Sequence, residues 1–293
     1  MPRTTLPAAA LAAALLAAPP AAAHHVWIEV ADFTPAAGST LPVDLRVGDH
    51  LPGDRLPRNA SRIVRFAVVG GGDERPIAGV DGVHPSGVAR LGAETGERVI
   101  VYRGNEARNV LPPERFARYL DEEGLAAITA RRAELGESDR PGRERYSRSL
   151  KALIAVGGAA PAGDPGRSPH LEAAGLDLEL VPETRPAALA AGDRLALRLL
   201  WHGEPLAGAR VAAVAAAAPD APLAAVSDAG GRVRFRLGAA GLWRLTAVHM
   251  ERAEGAAGTE WASVWTALTF VVPERAAAVA GALGGEGRTA VVR

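Results

Sequence analysis

Histidine is the residue type with the most scope for chemistry in this chain, because the sequence contains no cysteine. The absence of thiols excludes thiolate metal sites, cysteine catalysis and a disulfide framework. No two histidines have the His-x-x-x-His spacing, and neither a phosphate-binding loop nor a Gly-x-Ser-x-Gly elbow is present. We therefore expect a protein that is not an enzyme. The histidines are His24, His25, His50, His84, His170, His202 and His249.

His24 is the first candidate metal ligand, provided that the chain is cleaved after Ala23. Residues 1–23 have the three parts of an export signal: Arg3, an apolar stretch over 6–18 and a small-residue cleavage site over 21–23. A mature N-terminal histidine offers its α-amine, with a pKa of about 7.7–8.0, and its ring Nδ1, which can chelate one metal ion. Planar nitrogen ligation suits Cu(II) or Ni(II) better than magnesium or calcium. The alternative is a frayed terminus without function.

His249 is the second predicted ligand, because a second imidazole would complete a three-nitrogen set. In the strand predicted over 242–250, alternation places Trp243, Leu245, Ala247 and His249 on one face, which is mostly apolar. The alternative is a core histidine that bonds a backbone group. His50 and His84 lie in polar loops and favour exposure, and the pattern assigns no role to His170 or His202.

Composition limits the partners. The 33 basic and 33 acidic residues cancel, so nothing points to nucleic acid. The apolar part of the signal is too short to span a bilayer of about 30 Å, and charge or proline interrupts the later apolar runs. We therefore expect a periplasmic protein that is not membrane-embedded. The strand positions of Trp27, Trp243, Trp261 and Trp265 favour core packing over a sugar-binding platform.

The pattern of short apolar runs separated by glycine and proline predicts a mainly β protein with two β-sandwich regions. The C-terminal region resembles an immunoglobulin-like or transthyretin-like module, with seven short strands. The predicted organisation is a signal peptide (1–23), an N-terminal β-sandwich region (24–110), a helical insertion (111–156), a linker (157–175), the C-terminal sandwich (176–273) and a disordered tail (274–293).

Three helices are predicted in the insertion. The first begins at Pro113 and stops near Gly124, where proline and glycine favour a start and an end. A second covers residues 125–135. A third is predicted over 143–154 because Tyr146, Leu150 and Leu153 or Ile154 recur at helical spacing. The charge run 139–148 would then be a solvated helix start with local ion pairs.

The mature start His24-His25-Val26-Trp27-Ile28-Glu29 resembles the His-x-x-Trp-Leu/Ile-Glu start of a family of secreted bacterial proteins of unknown function. The stretches 136–148, 205–209 with 228–232, and 248–250 with 261–270 are similar to that family too. The family is described as nickel uptake transporter proteins or the periplasmic component of cobalt/nickel transport. His25 departs from the pattern, which has an acidic or other polar residue there. The resemblance implies a metal site at His24, with a membrane transporter component or a TonB-type receptor as partner.

The sequence therefore leaves three functional hypotheses. The first is a periplasmic binding protein for a divalent transition metal (nickel or cobalt by resemblance, or copper by ligand chemistry) that supports uptake or delivery. The alternative is a β-sandwich that binds a protein or carbohydrate, with His24 incidental. A copper oxygenase with an N-terminal histidine brace is third, because no substrate surface is recognisable.

Overall fold

The computed structural model describes residues 24–158, 168–255 and 258–274. The predicted signal peptide and its cleavage site after Ala23, part of the linker and all but the first residue of the predicted tail lie outside the described residues. Within them the chain is mainly β, with two α-helices, which confirms the predicted fold class. No helix in the described residues has the length and apolar character to cross a membrane.

Eight strands precede the helices. They are β1 (His25–Val30), β2 (Thr40–Gly48), β3 (Asp54–Leu56), β4 (Ile63–Gly70), β5 (Asp73–Pro76), β6 (Gly87–Arg90), β7 (Gly96–Gly104) and β8 (Ala107–Leu111). The two helices are α1 (Pro113–Glu122) and α2 (Ala126–Glu134). The remaining strands are β9 (Gly142–Val156), β10 (Leu178–Pro182), β11 (Arg194–Trp201), β12 (Glu204–Pro205), β13 (Arg210–Ala215), β14 (Ala218–Val226), β15 (Arg232–Arg236), β16 (Gly241–Arg252) and β17 (Trp261–Val272). Short 3₁₀ turns occur at Ala60–Arg62, Pro169–Leu171 and Pro186–Ala188.

The strands form three sheets. The central sheet has nine strands in the order β14-β13-β16-β17-β9-β7-β4-β5, with β8 also paired to β9. The N-terminal sheet contains β1, β2, β3 and β6, and the C-terminal sheet contains β10, β11, β12 and β15. The central sheet therefore takes strands from both predicted β regions, which are joined where β9 pairs in parallel with β17.

The central sheet is covered on both faces, because side chains along a strand alternate between them. Ala67, Val101 and Leu153 belong to a core shared with the C-terminal sheet, where they meet residues such as Leu197. The opposite face packs against the N-terminal sheet, and its core contains Trp27, Ile28, Phe66, Ile100, Leu150 and Ala152. The architecture is therefore three β layers.

The helices complete the face that carries the N-terminal sheet. The first two of the three predicted helices are confirmed, and α1 buries Phe116, Tyr119 and Leu120. These side chains form a third core with Leu111, Val248, Met250, Trp261 and Trp265. Gly142 lies so close to Phe116 that a Cβ there would be 2.2 Å from a ring carbon. The start of β9 is thereby fixed against α1.

The third predicted helix is wrong, because residues 142–156 form the strand β9. Residues 149–156 are all buried, since layers cover the central sheet on both sides. A strand that is buried on both faces has a continuous apolar run, in which helical spacing occurs by chance. The helical insertion is accordingly confined to α1 and α2, and the charge run 139–148 is not a solvated helix start.

A buried ion pair ties β9 to the C-terminal sheet. Lys151, the only lysine in the chain, is 1% exposed, and its Nζ lies 2.7 Å from Glu179 Oε1. Glu179 also accepts hydrogen bonds from the backbone N–H groups of Ala174 and Leu176. Burial lowers the pKa of Lys151, and the Glu179 carboxylate opposes that shift.

Lys151→Met should lower the free energy of unfolding by about 3–5 kcal/mol, because it leaves a buried carboxylate without its cation. Urea denaturation would measure this loss. The double variant Lys151→Met/Glu179→Gln should be more stable than Lys151→Met alone. If the losses of the two single variants simply add in the double variant, the two side chains are not coupled.

Candidate functional site

The pairing of β1 with β2 places His24 beside Asp49. His25 pairs with Gly48 in the antiparallel register, so the preceding and following residues come next to each other. His24 Nδ1 lies 3.0 Å from Asp49 Oδ1. This distance suits a hydrogen bond. It is also the separation of two ligands that lie about 2.1 Å from one metal ion at right angles, roughly 3.0 Å.

The backbone of His24 is anchored by β9. Arg148 Nη2 donates to the carbonyl oxygen of His24 over 2.9 Å. The Arg148 guanidinium lies 4.6 Å from the centroid of the Trp265 ring, and Trp265 is buried in the third core. Burial lowers the pKa of Arg148. The predicted mature terminus is therefore hydrogen-bonded to a strand of the central sheet.

His25 fixes the same segment from the side of the helices. Its Nε2 lies 3.2 Å from Glu123 Oε1, at the end of α1. Its ring meets the Trp265 ring edge-on at a centroid distance of 5.4 Å. His25 is thus occupied in positioning the terminus.

Asp49 is held by a cation on the opposite side. Arg244 Nη2 donates to the backbone carbonyl of Asp49 over 2.8 Å, and its guanidinium lies 4.4 Å from the Trp27 ring centroid. Burial lowers the pKa of Arg244 to about 10. Gly53, with φ +62°, lies against Trp27, where a Cβ would be 2.3 Å from a ring carbon. The loop that carries Asp49 is therefore packed closely onto β1.

His249 lies on the other face of the central sheet. It belongs to β16, and its ring centroid is 4.6 Å from that of Trp201 on the C-terminal sheet. Its Nε2 is 3.9 Å from Glu251 Oε2. Burial lowers the pKa of His249, and the neighbouring His202 lowers it further while Glu251 opposes the shift. The structure therefore does not bring His249 together with His24.

The remaining histidines differ in exposure. His50, His84 and His202 are exposed. His170 is buried, and its Nε2 lies 3.0 Å from the backbone oxygens of Arg98 and Ile154. Among the residues that the structure describes, no group of three or more His, Asp or Glu side chains is placed to hold a metal ion. A chelate at His24 must therefore use the α-amine that cleavage would create.

Sequence reasoning missed Asp49, Arg148 and Arg244. Asp49 follows a strand predicted next to β1, so a hairpin register would have placed it opposite His24. Arg148 could not be found because its strand was predicted as a helix. Arg244 lies among apolar residues of β16, and no sequence pattern indicates its contact with Asp49. The four tryptophans predicted as core residues are buried, as expected.

Comparison with known proteins shows the family. The model described as "Domain of unknown function (DUF4198)" matches residues 21–251. The chain belongs to the DUF4198 family. No curated protein matches it.

Solved structures that are similar to this DUF4198 protein include two with low scores. The D0-D1 domain of Intimin is 11% identical with a TM-score of 0.21, over 83% of this chain and 96% of that one. A Salmonella alpha-2-macroglobulin variant is 14% identical with a TM-score of 0.17, over 90% of this chain and 16% of that one. At these scores neither likeness supports a topology, and the immunoglobulin-like or transthyretin-like topology stays a prediction.

His249→Gln should leave metal affinity unchanged, because His249 lies on the opposite face from His24. It should also flatten the pH dependence of stability. The pKa of His249 is lowered from 6.5, so the unfolded chain binds the extra proton as pH falls below about 6.5 and unfolding is favoured. Urea titrations between pH 7.5 and 5.5 test this, and weaker metal binding by the variant would restore His249 as a ligand.

Proposed function

We propose that the mature protein is an exported binding protein for a divalent transition-metal ion, with its site at His24. The α-amine and Nδ1 of His24 chelate the ion, and the Asp49 carboxylate is the third donor. The observation that carries the proposal is the 3.0 Å separation of His24 Nδ1 from Asp49 Oδ1, which fits two ligands of one ion. No reaction is assigned to the site.

The anchoring of both donor residues through their backbones supports this proposal. A ligand that is already ordered loses less conformational freedom on binding than a frayed end does. Arg148 holds the backbone of His24, and Arg244 holds the backbone of Asp49. Neither contact uses the imidazole or the carboxylate, so both donors stay available to the ion.

Donor chemistry sets the class of ion. One amine, one imidazole and one carboxylate suit borderline divalent ions, and affinity at such a site rises from cobalt through nickel to copper. The resemblance of residues 24–29 to nickel and cobalt uptake proteins favours delivery of nickel or cobalt to a membrane transporter component or a TonB-type receptor. Delivery outside the cytoplasm agrees with the predicted signal peptide.

Metal titration of the mature chain tests the proposal directly. Intact mass would first establish cleavage after Ala23, and titrations with nickel, cobalt and copper should then give one ion per chain. Inserting one alanine before His24 should weaken binding by more than about tenfold, because the new α-amine no longer belongs to the histidine. Asp49→Asn should weaken it by a smaller factor.

His202→Ala is the matched control, because His202 is exposed and lies in the turn between β11 and β12 of the C-terminal sheet. Affinity should rise from about pH 6 to pH 8, since the ion displaces protons from the amine and the imidazole. Equal affinity of the mature and alanine-extended chains would contradict the proposal. So would a loss of binding in His202→Ala.

A further inference from the structure

A cleft of about 400 Å³ opens beside His24, between the end of the N-terminal sheet and the central sheet. Its apolar walls include Val26, Leu45, Val47, Leu56, Ile63 and Tyr102. This volume lies in the range of small-molecule sites, which combine apolar walls with a few fixed polar groups.

The charged groups of the cleft are all cationic. Arg58, Arg62 and Arg148 line it, and none of the described lining residues is Asp or Glu. The Arg58 guanidinium already has partners, because it donates to the backbone oxygen of Ser86 and lies 3.7 Å from the Asp81 carboxylate. The Arg62 guanidinium donates to the backbone oxygen of Glu106. The cleft therefore has an excess of positive charge.

Arg148 lines the cleft with one donor nitrogen that has no partner among the described residues. It has no ion pair within 4.0 Å in the described part of the chain, and its Nη1 is screened from solvent without a hydrogen-bond partner there. Its guanidinium lies 5.2 Å from the Tyr146 ring centroid and 4.6 Å from that of Trp265. The ring contacts stabilise the cation, but a screened donor without an acceptor is costly, and a bound anion could accept its hydrogen bond.

We propose that this cleft binds a small organic carboxylate whose apolar body packs against the walls and whose carboxylate pairs with Arg148 and Arg62. A guanidinium and a carboxylate make charge-assisted hydrogen bonds, which are about twice as strong as neutral ones. The ligand is a small molecule, because the cleft has a small molecule's volume. The proposal goes beyond metal binding and does not rest on it.

Binding of trans-cinnamate to the full mature chain, after removal of metal with a chelator, tests this site. Calorimetry should give one saturable site, and the neutral isostere cinnamamide should bind at least about tenfold more weakly, since it cannot pair with a guanidinium. Because metal is absent, failure here leaves the metal site untouched, and failure of metal binding leaves this site untouched.

Substitutions distinguish the contribution of the arginine charges to binding from that of the apolar walls. Arg62→Gln and Arg148→Gln should each reduce the preference for cinnamate over cinnamamide, and Val47→Trp should abolish binding of both by filling the cleft. Arg62 is exposed, so its variant keeps the test valid if Arg148→Gln fails to fold.

Arg143→Gln is the matched control, because Arg143 is an exposed arginine of β9 that does not line the cleft. It should bind cinnamate as the wild-type chain does. Equal affinity for the acid and the amide would overturn the proposal. Absence of saturable binding, or an unchanged preference in Arg62→Gln, would overturn it as well.

Discussion

The parallel pairing of β9 with β17 is the interaction on which the rest of the structure depends. On its other edge β9 pairs with β7 and β8, so this one strand joins the N-terminal and C-terminal halves of the chain into one sheet. Because layers pack on both faces, its side chains reach both cores. Leu150 contributes to the core under the N-terminal sheet, and Leu153 to the core under the C-terminal sheet.

The same strand carries three ionisable side chains that contact other layers. Glu144 accepts hydrogen bonds from the hydroxyl groups of Tyr119 and Ser263, and burial raises its pKa. Arg148 anchors the backbone of His24, and Lys151 pairs with Glu179 of the C-terminal sheet. Breaking the buried Lys151–Glu179 pair would leave an uncompensated charge. Together the three contacts link the helices, the terminus and the C-terminal sheet to one strand.

The sequence predicted the parts of this fold that have local signals. Alternation and glycine or proline punctuation predicted the mainly β class, and Pro113 and Gly124 marked the ends of α1. The assignment failed at β9, where burial of both faces removed the alternation that identifies a strand. Since that strand carries Arg148, the same error hid the anchor of His24 and the cation of the cleft. His24 could be predicted as a metal ligand because that role depends only on cleavage after Ala23. The separation of His249 from His24 could not be predicted, because it depends on which face of the central sheet each residue occupies.

In the proposed site the α-amine of His24 is free in the metal-free mature chain and is bound to the ion in the metal complex. Lys151 is the only lysine and is buried, so the folded mature chain offers one accessible amine, that of His24. Labelling with an amine-reactive reagent, read by peptide mass spectrometry, therefore reports on this group directly. The account predicts a single label at His24 that one equivalent of nickel, cobalt or copper suppresses. Labelling of His24 that none of the three ions slows would contradict it.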